Sequence, residues 1–235
     1  SVQVQLGDQQ LDADVERLSD TPTQLDRQVL LVLDVSESMV GAKLVAAQEA
    51  ALAFLNVVPE DVKVGLVSFA ETAEVLVLPT LDRASIQDAV AGLTSSRGTA
   101  LYNAIVLAAT TLEDAEVGNI VLLSDGANTE SGATLEDAED EIQSQQVGVA
   151  AVNLADSAEE VEILSRLADA GKGKLLSAAT EEELQPLFEQ SARAIAAQLR
   201  ITAPIPAGTP AEQFPMRVDA QAGNLALRDH AVVLI

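Results

Sequence analysis

Residues 29–38 read VLLVLDVSES: five aliphatic side chains in unbroken succession, then an aspartate and two serines at alternate positions. Continuous rather than alternating apolarity marks a strand covered on both faces, the habit of parallel sheets. Asp34, Ser36 and Ser38 then fall in the turn that leads from this strand into the next helix. Four further runs repeat the strand signal: VKVGLVSF at 62–69, NIVLL at 119–123, VGVAAV at 147–152 and KLLSA at 174–178. A sixth run, AEVLVLP at 73–79, follows its predecessor after a few residues, a spacing that predicts a hairpin and hence an antiparallel edge strand.

Helical spacing fills the intervals. It runs through Leu44, Ala47, Ala51, Phe54, Leu55 and Val58, through Leu101, Ile105, Ala108 and Leu112, and through Leu184, Leu187, Phe188, Ile195 and Leu199. Thinner stripes at Leu135, Ala138 and Ile142 and at Val161, Leu164 and Ala168 sit among carboxylates, so the acidic charge belongs to outer helix faces. The alternation predicts an α/β fold with a doubly wound, mainly parallel six-stranded sheet and one antiparallel edge strand. This domain is expected over residues 26–200. At the ends, Val2, Val4 and Leu6 alternate with glutamines, while RITAPI, FPMRVDA and LALRDHAVVLI read as strands among four prolines. A small β module is therefore expected from residues 1–25 pairing with 201–235.

Composition removes whole classes of function. Thirteen Lys and Arg against 37 Asp and Glu leave a net charge of −24, which repels phosphate backbones and anionic lipid. Four Phe, one Tyr and no Trp leave little with which to stack bases or sugars. No cysteine is present, so thiol nucleophiles, disulfides and thiolate metal sites are excluded, and His230 is the single histidine available to any triad or zinc site. No run approaches the roughly 18 apolar residues of a membrane span.

Two more segments bear on the DVSES turn. RGTALYNAI at 97–105 places Thr99 at the mouth of a helix, and SDGANT at 124–129 places Asp125 just beyond a strand. In an open parallel sheet these loops share the carboxyl-end rim where ligands bind. The alternative for Asp34 or Ser36 alone is a helix N-cap, for which both residue types are favoured. Arg97 offers a cation to a bound carboxylate or pairs with a nearby acid. The acidic run EDAEDE at 136–141 lacks the spacing of a calcium loop and reads as a solvated helix face.

Together the three segments resemble the von Willebrand factor type A domain, of bacterial type, whose metal-ion-dependent adhesion site uses an Asp-x-Ser-x-Ser loop, a Thr and an Asp. The resemblance spans about residues 28–198 and fills all five positions: Asp34, Ser36, Ser38, Thr99 and Asp125. It implies Mg2+, with Ca2+ or Mn2+ as substitutes. Ser36, Ser38 and, when a ligand is engaged, Thr99 would coordinate directly, with Asp34 and Asp125 acting mainly through waters. Magnesium favours six hard oxygens and retains waters; neutral direct donors leave the ion electrophilic toward an external anion. Glu37 departs from the small residue common in the family, and its side chain is expected to face solvent.

The function implied is a divalent-metal-dependent protein-binding module, an adhesion or assembly device whose Mg2+ accepts an Asp or Glu carboxylate from a partner protein. Glu37, Glu71, Arg97 and Glu130 form the expected rim, and their charge predicts basic surroundings on the partner. Metal binding that only stabilises the loops is the bland alternative. An intracellular adaptor beside a MoxR-type or magnesium-chelatase-type ATPase is another. A Mg2+-dependent phosphohydrolase ranks last, because Ser36 stands where aspartyl-phosphate enzymes carry a second Asp and no P-loop is evident. The chain is expected not to be an enzyme. Its expected setting is extracytoplasmic or at the cell surface, anchored by a segment not present here, with the cytoplasm as the alternative.

Overall fold

The structure is a computed structural model that describes residues 2–6, 9–12, 14–17, 25–125, 128–154, 157–202, 213–222 and 225–234. Its elements in chain order begin with β1 (Val2–Leu6), β2 (Gln9–Leu11), β3 (Asp14–Arg17), β4 (Arg27–Asp34), α1 (Ala42–Val57), β5 (Lys63–Phe69) and β6 (Ala73–Thr80). There follow α2 (Arg83–Ala91), α3 (Leu101–Thr111), β7 (Val117–Ser124), α4 (Leu135–Ser144), β8 (Gly148–Asn153) and α5 (Ala158–Ala170). The chain closes with β9 (Lys174–Ser177), α6 (Leu184–Ala196), β10 (Leu199–Thr202), β11 (Gln213–Ala222) and β12 (Leu225–Leu234). Two compact units result, one of residues Thr23–Ala196 and one of Ser1–Pro22 with Ala197–Ile235.

In the larger unit six strands lie in the order β6-β5-β4-β7-β8-β9. All neighbours are parallel except β5 and β6, which pair antiparallel as the short connection predicts. Strand β4 is central, and its apolar run explains why. Val29, Leu31 and Leu33 face α1 and α6, where Ala47, Ala51, Phe54, Phe188 and Ala192 meet them. Leu30 and Val32 face the opposite layer, with Leu101, Ile105, Ile142, Leu164 and Leu167. Every residue from Val29 to Leu33 is fully buried, and burial of each such side chain contributes about 1.5–3 kcal/mol. Such a strand is stable only between two helical layers.

From β4 the chain crosses through α1 to β5 on one side; β7 later pairs on the other side of β4. The strand order therefore reverses between β4 and β7, and a crevice opens above their carboxyl ends. Asp34 ends β4 and Ser124 ends β7.

Helix α2 is absent from the sequence reading. Only Ile86 and Val90 are buried on it, too few apolar positions for a periodic stripe. Its signal lies in the cap: the Asp82 carboxylate accepts from the amides of Ala84 and Ser85, at 3.1 and 3.4 Å. Asp82→Ala is expected to cost about 1 kcal/mol, read as a lowered urea midpoint with an unchanged slope; an unmoved midpoint would show the cap to be idle.

In the smaller unit four antiparallel strands lie in the order β12-β11-β1-β2, and β10 pairs with β3 in a separate two-stranded ribbon. FPMRVDA falls within β11 and most of LALRDHAVVLI within β12, while Ala203–Ile205 of RITAPI lie outside the described residues. Strands β2 and β3 carry no strand signal of their own, because QQL and DVER are short and polar.

Candidate functional site

The DVSES turn begins where β4 stops. Ser36 is extended, with φ −63° and ψ 170°, and Glu37–Met39 then form one 3-10 turn. The two serines converge: their hydroxyl oxygens lie 2.9 Å apart. Met39 is fully buried and anchors the turn, Glu37 and Ser38 are exposed, and Val35 donates its amide to the Phe69 carbonyl at the end of β5. The expectation that Glu37 faces solvent matches its exposure.

Asp34 is fully buried. Its Oδ1 accepts the Ser36 amide at 2.8 Å and its Oδ2 accepts the Ser124 hydroxyl at 2.7 Å. Burial pushes its carboxyl up to about 6; hydrogen bonds from Ser36 and Ser124 pull against that, and the negative charge of Asp125 adds to it. Asp34 and Asp125 are therefore electrostatic neighbours across the β4–β7 crevice. The sequence alone assigns Ser124 no role. Only the strand order, which sets Leu33 opposite Leu123, puts its hydroxyl beside Asp34.

Thr99 is held from three sides. Its amide donates to the Thr129 hydroxyl at 3.0 Å, its carbonyl accepts the amides of Thr129 and Glu130, and the next amide, Ala100, donates to the Ala70 carbonyl at 2.6 Å. Ser96 in the same loop donates its amide to the Val35 carbonyl at 2.8 Å, stitching the loop to the DVSES turn. Gly98 makes the corner with φ +72°, and a Cβ there would stand 3.0 Å from Glu71 Cα and 2.7 Å from Glu130 Cγ. Glu71 and Glu130 therefore flank the Thr99 loop, both exposed. Arg97 is exposed and forms no ion pair with the described residues.

Beyond the strand, Asn128, Ser131 and Asn103 bind one another's loops. Ser131 donates to Asn128 Oδ1 at 2.6 Å and accepts the amides of Tyr102 and Asn103, and Asn103 Oδ1 accepts the Ala133 amide. Asn103 thus supports the loop through backbone, as does Tyr102 through its amide. Gly126 and Ala127 of SDGANT lie outside the described residues.

The donor set can be tested against a divalent ion. Asp125 Oδ1 is buried without a hydrogen-bond partner among the described residues, and such an atom carries an uncompensated desolvation penalty of about 1–3 kcal/mol or more. A hydrated cation removes that penalty. Three hydroxyls and two carboxylates are hard oxygens suited to Mg2+, Mn2+ or Ca2+ and unsuited to soft metals. Among the described residues no three Asp, Glu, His or Cys side chains gather as a metal cluster, so a site here must draw on Ser36, Ser38 and Thr99. EDAEDE lies on α4, where Asp137 forms a capping box with Thr134, Glu139 pairs with Arg166, and Glu136 and Asp140 are exposed, as expected of a solvated helix face.

Residues 29–128 match the family model of the von Willebrand factor type A domain. A UPF0353 protein of Mycolicibacterium vanbaalenii is 30% identical over 193 residues, covering 68% of this chain and 58% of that protein. A UPF0353 protein of Mycobacterium tuberculosis is 36% identical over 118 residues, covering 43% of this chain and 35% of that protein. The chain thus spans between about a third and three fifths of the length of these curated relatives. Among solved structures, a von Willebrand factor type A protein from Catenulispora acidiphila superposes with TM-score 0.65 at 15% identity, covering 88% of this chain and 66% of that one. The von Willebrand factor domain of the pilus-tip protein Mfa5 from Porphyromonas gingivalis gives 0.63 at 17% identity, covering 74% and 97%. These likenesses establish the fold.

Proposed function

We propose, from the premise that the chain carries a von Willebrand factor type A domain, that it is a divalent-metal-dependent protein-binding module. Ser36 and Ser38, joined by Thr99 once a ligand is engaged, would hold Mg2+ with Asp34 and Asp125 around it, where the ion would supply a coordination position for a partner's carboxylate. The observation that carries this reading is the buried Asp125 Oδ1, which has no donor among the described residues, together with a fully buried Asp34 at the strand-order reversal. Two anionic groups in one crevice repel each other, and a cation between them reverses the sign of that interaction.

When bound, the metal supplies an electrophilic position for an oxygen anion. The protein's own residues do the rest: Ser124 and the Ser36 amide fix the Asp34 carboxylate, and Thr129 with Ala70 fixes the backbone of Thr99. Arg97 is the one cation in the DVSES, RGTALYNAI and SDGANT segments and is exposed, so these segments offer no buried clamp for a phosphoryl group. A binding module fits better than a hydrolase. The fold of the pilus-tip domain is in keeping with an extracytoplasmic setting, and among the described residues no helix is long and apolar enough to cross a membrane.

Calorimetric titration with MgCl2 tests the reading. One ion per chain is expected, with affinity lowered about 10- to 100-fold in Asp125→Ala, the usual penalty for losing an outer-sphere carboxylate. A peptide bearing one glutamate should then bind only with Mg2+ present, and its glutamine counterpart not at all. A parent and variant of equal Mg2+ affinity would refute the proposal.

A further inference from the structure

Helix α1 follows β4, and residues 181–185 follow β9, so both begin on the carboxyl-end rim that carries the DVSES turn. Between them lies a groove of about 420 Å3. Ala42, Val45 and Ala46 form its apolar side, and Glu49, Glu181 and Glu182 line it with three carboxylates. No Lys or Arg lines it, Lys43 included. Val45 is 53% exposed, and Val40, two residues before the groove's Ala42, is 58% exposed. Helical spacing explains the alignment: positions 42, 45, 46 and 49 are i, i+3, i+4 and i+7 on one face of α1.

Exposed aliphatic side chains lie next to Glu49, Glu181 and Glu182, which form no ion pair among the described residues, although Glu182 is hydrogen-bonded to Thr180; together they describe a surface built for contact. Isolated apolar residues are ordinary on protein surfaces, but here two of the five large exposed hydrophobics of the described chain stand beside the candidate metal loop. The charge decides the occupant. A second copy of this chain, at net charge −24, would bring acid to acid, and nucleic acid would do the same. A segment with an aliphatic side chain flanked by lysine or arginine satisfies floor and walls together.

Resting on the proposal of a metal-bound partner carboxylate, we infer that the same partner seats a second anchor here: an aliphatic residue over Ala42 and Val45, with a flanking Lys or Arg paired to Glu49, Glu181 and Glu182. Two contacts on one rigid rim make the second one intramolecular, so the pair binds more tightly than either alone. The groove also resolves a conflict in the sequence, because an acidic domain that recruits an acidic residue needs compensating positive charge on the partner.

The test uses an acetylated, amidated peptide with two leucines between lysines and no carboxylate, added to the full chain in EDTA and followed by amide chemical shifts and fluorescence anisotropy. Shifts are expected at residues 42–49 and 181–185. Binding should weaken about tenfold or more in Glu49→Lys/Glu181→Lys, and by less than about twofold in Glu136→Lys/Asp140→Lys, a charge-matched control on the exposed face of α4. Val45→Asp should weaken it as well. Equal losses in the control pair would reveal diffuse attraction and overturn the inference, as would shifts elsewhere or no binding at millimolar peptide. Failure of the Mg2+ titration with success here would sink the metal reading alone; the reverse would sink the groove alone.

Discussion

Asp34→Asn is expected to make the metal-free protein more stable at pH 7.5, by about 3 kcal/mol, while abolishing its response to Mg2+. The reasoning is one of linkage. The Asp34 carboxyl is raised from 3.8 to about 6 by burial, so the folded state holds its proton more tightly than the unfolded chain does. That contribution to stability is complete below pH 4 and disappears as the pH rises through about 6. A difference of about two pKa units corresponds to about 3 kcal/mol. Asparagine keeps the acceptor for the Ser36 amide and never ionises. Urea unfolding in EDTA at pH 4, 6 and 7.5 should therefore show parent and variant alike at the lowest pH and diverging above it. Adding Mg2+ should stabilise the parent only, by mass action on the folded state. A variant less stable than the parent at pH 7.5 would show that Asp34 is a structural carboxylate and not one held ready for a cation.

The fold was legible in the sequence where apolarity was continuous. VLLVL, VGLVSF and NIVLL can be buried only between two helical layers, and the short step to AEVLVLP could only be a hairpin. Legibility failed where an element depends on a cap or on pairing. Helix α2 rests on Asp82 with two buried side chains, and β2 and β3 carry no apolar pattern. At the candidate site the residue types were readable at Asp34, Ser36, Ser38 and Asp125, because hydroxyl and carboxylate oxygens fall at or just past strand ends, and at Thr99, because it stands at the mouth of a helix. Their supports were not. Ser124 reaches Asp34 through strand order, and Thr129 and Ala70 hold the Thr99 backbone across 30 positions in one case and a different hairpin in the other. Such long-range contacts leave no local mark. The 3-10 turn at Glu37–Met39 likewise depends on burying Met39, which a reading of DVSES in isolation does not weigh.

Asp34 and Ser36 act where the metal would sit; Gly98 governs whether a partner can be engaged there. Gly98→Ala is expected to weaken a carboxylate peptide about tenfold or more in Mg2+ while changing the Mg2+ affinity itself little. The backbone at 98 has φ +72°, which an L-residue adopts at a cost of about 1–2 kcal/mol. The added methyl would press on Glu71 Cα at 3.0 Å and Glu130 Cγ at 2.7 Å. The Glu130 side chain can swing away, but Glu71 Cα is backbone and is fixed by the tight turn in which Ala70 donates its amide to the Thr72 carbonyl. The loop must therefore move, and Thr99 is the next residue. By the proposal Ser36 and Ser38 hold the ion in every state and Thr99 joins only with a ligand, so displacing Thr99 separates ion from ligand. Gly98→Asn, which tolerates positive φ better than alanine but meets the same contact, distinguishes backbone strain from the clash. If both variants bound the peptide as the parent does, Thr99 would have no part in engagement; if both lost Mg2+ as well, it would belong to the resting coordination sphere and the separation of roles argued here would fall.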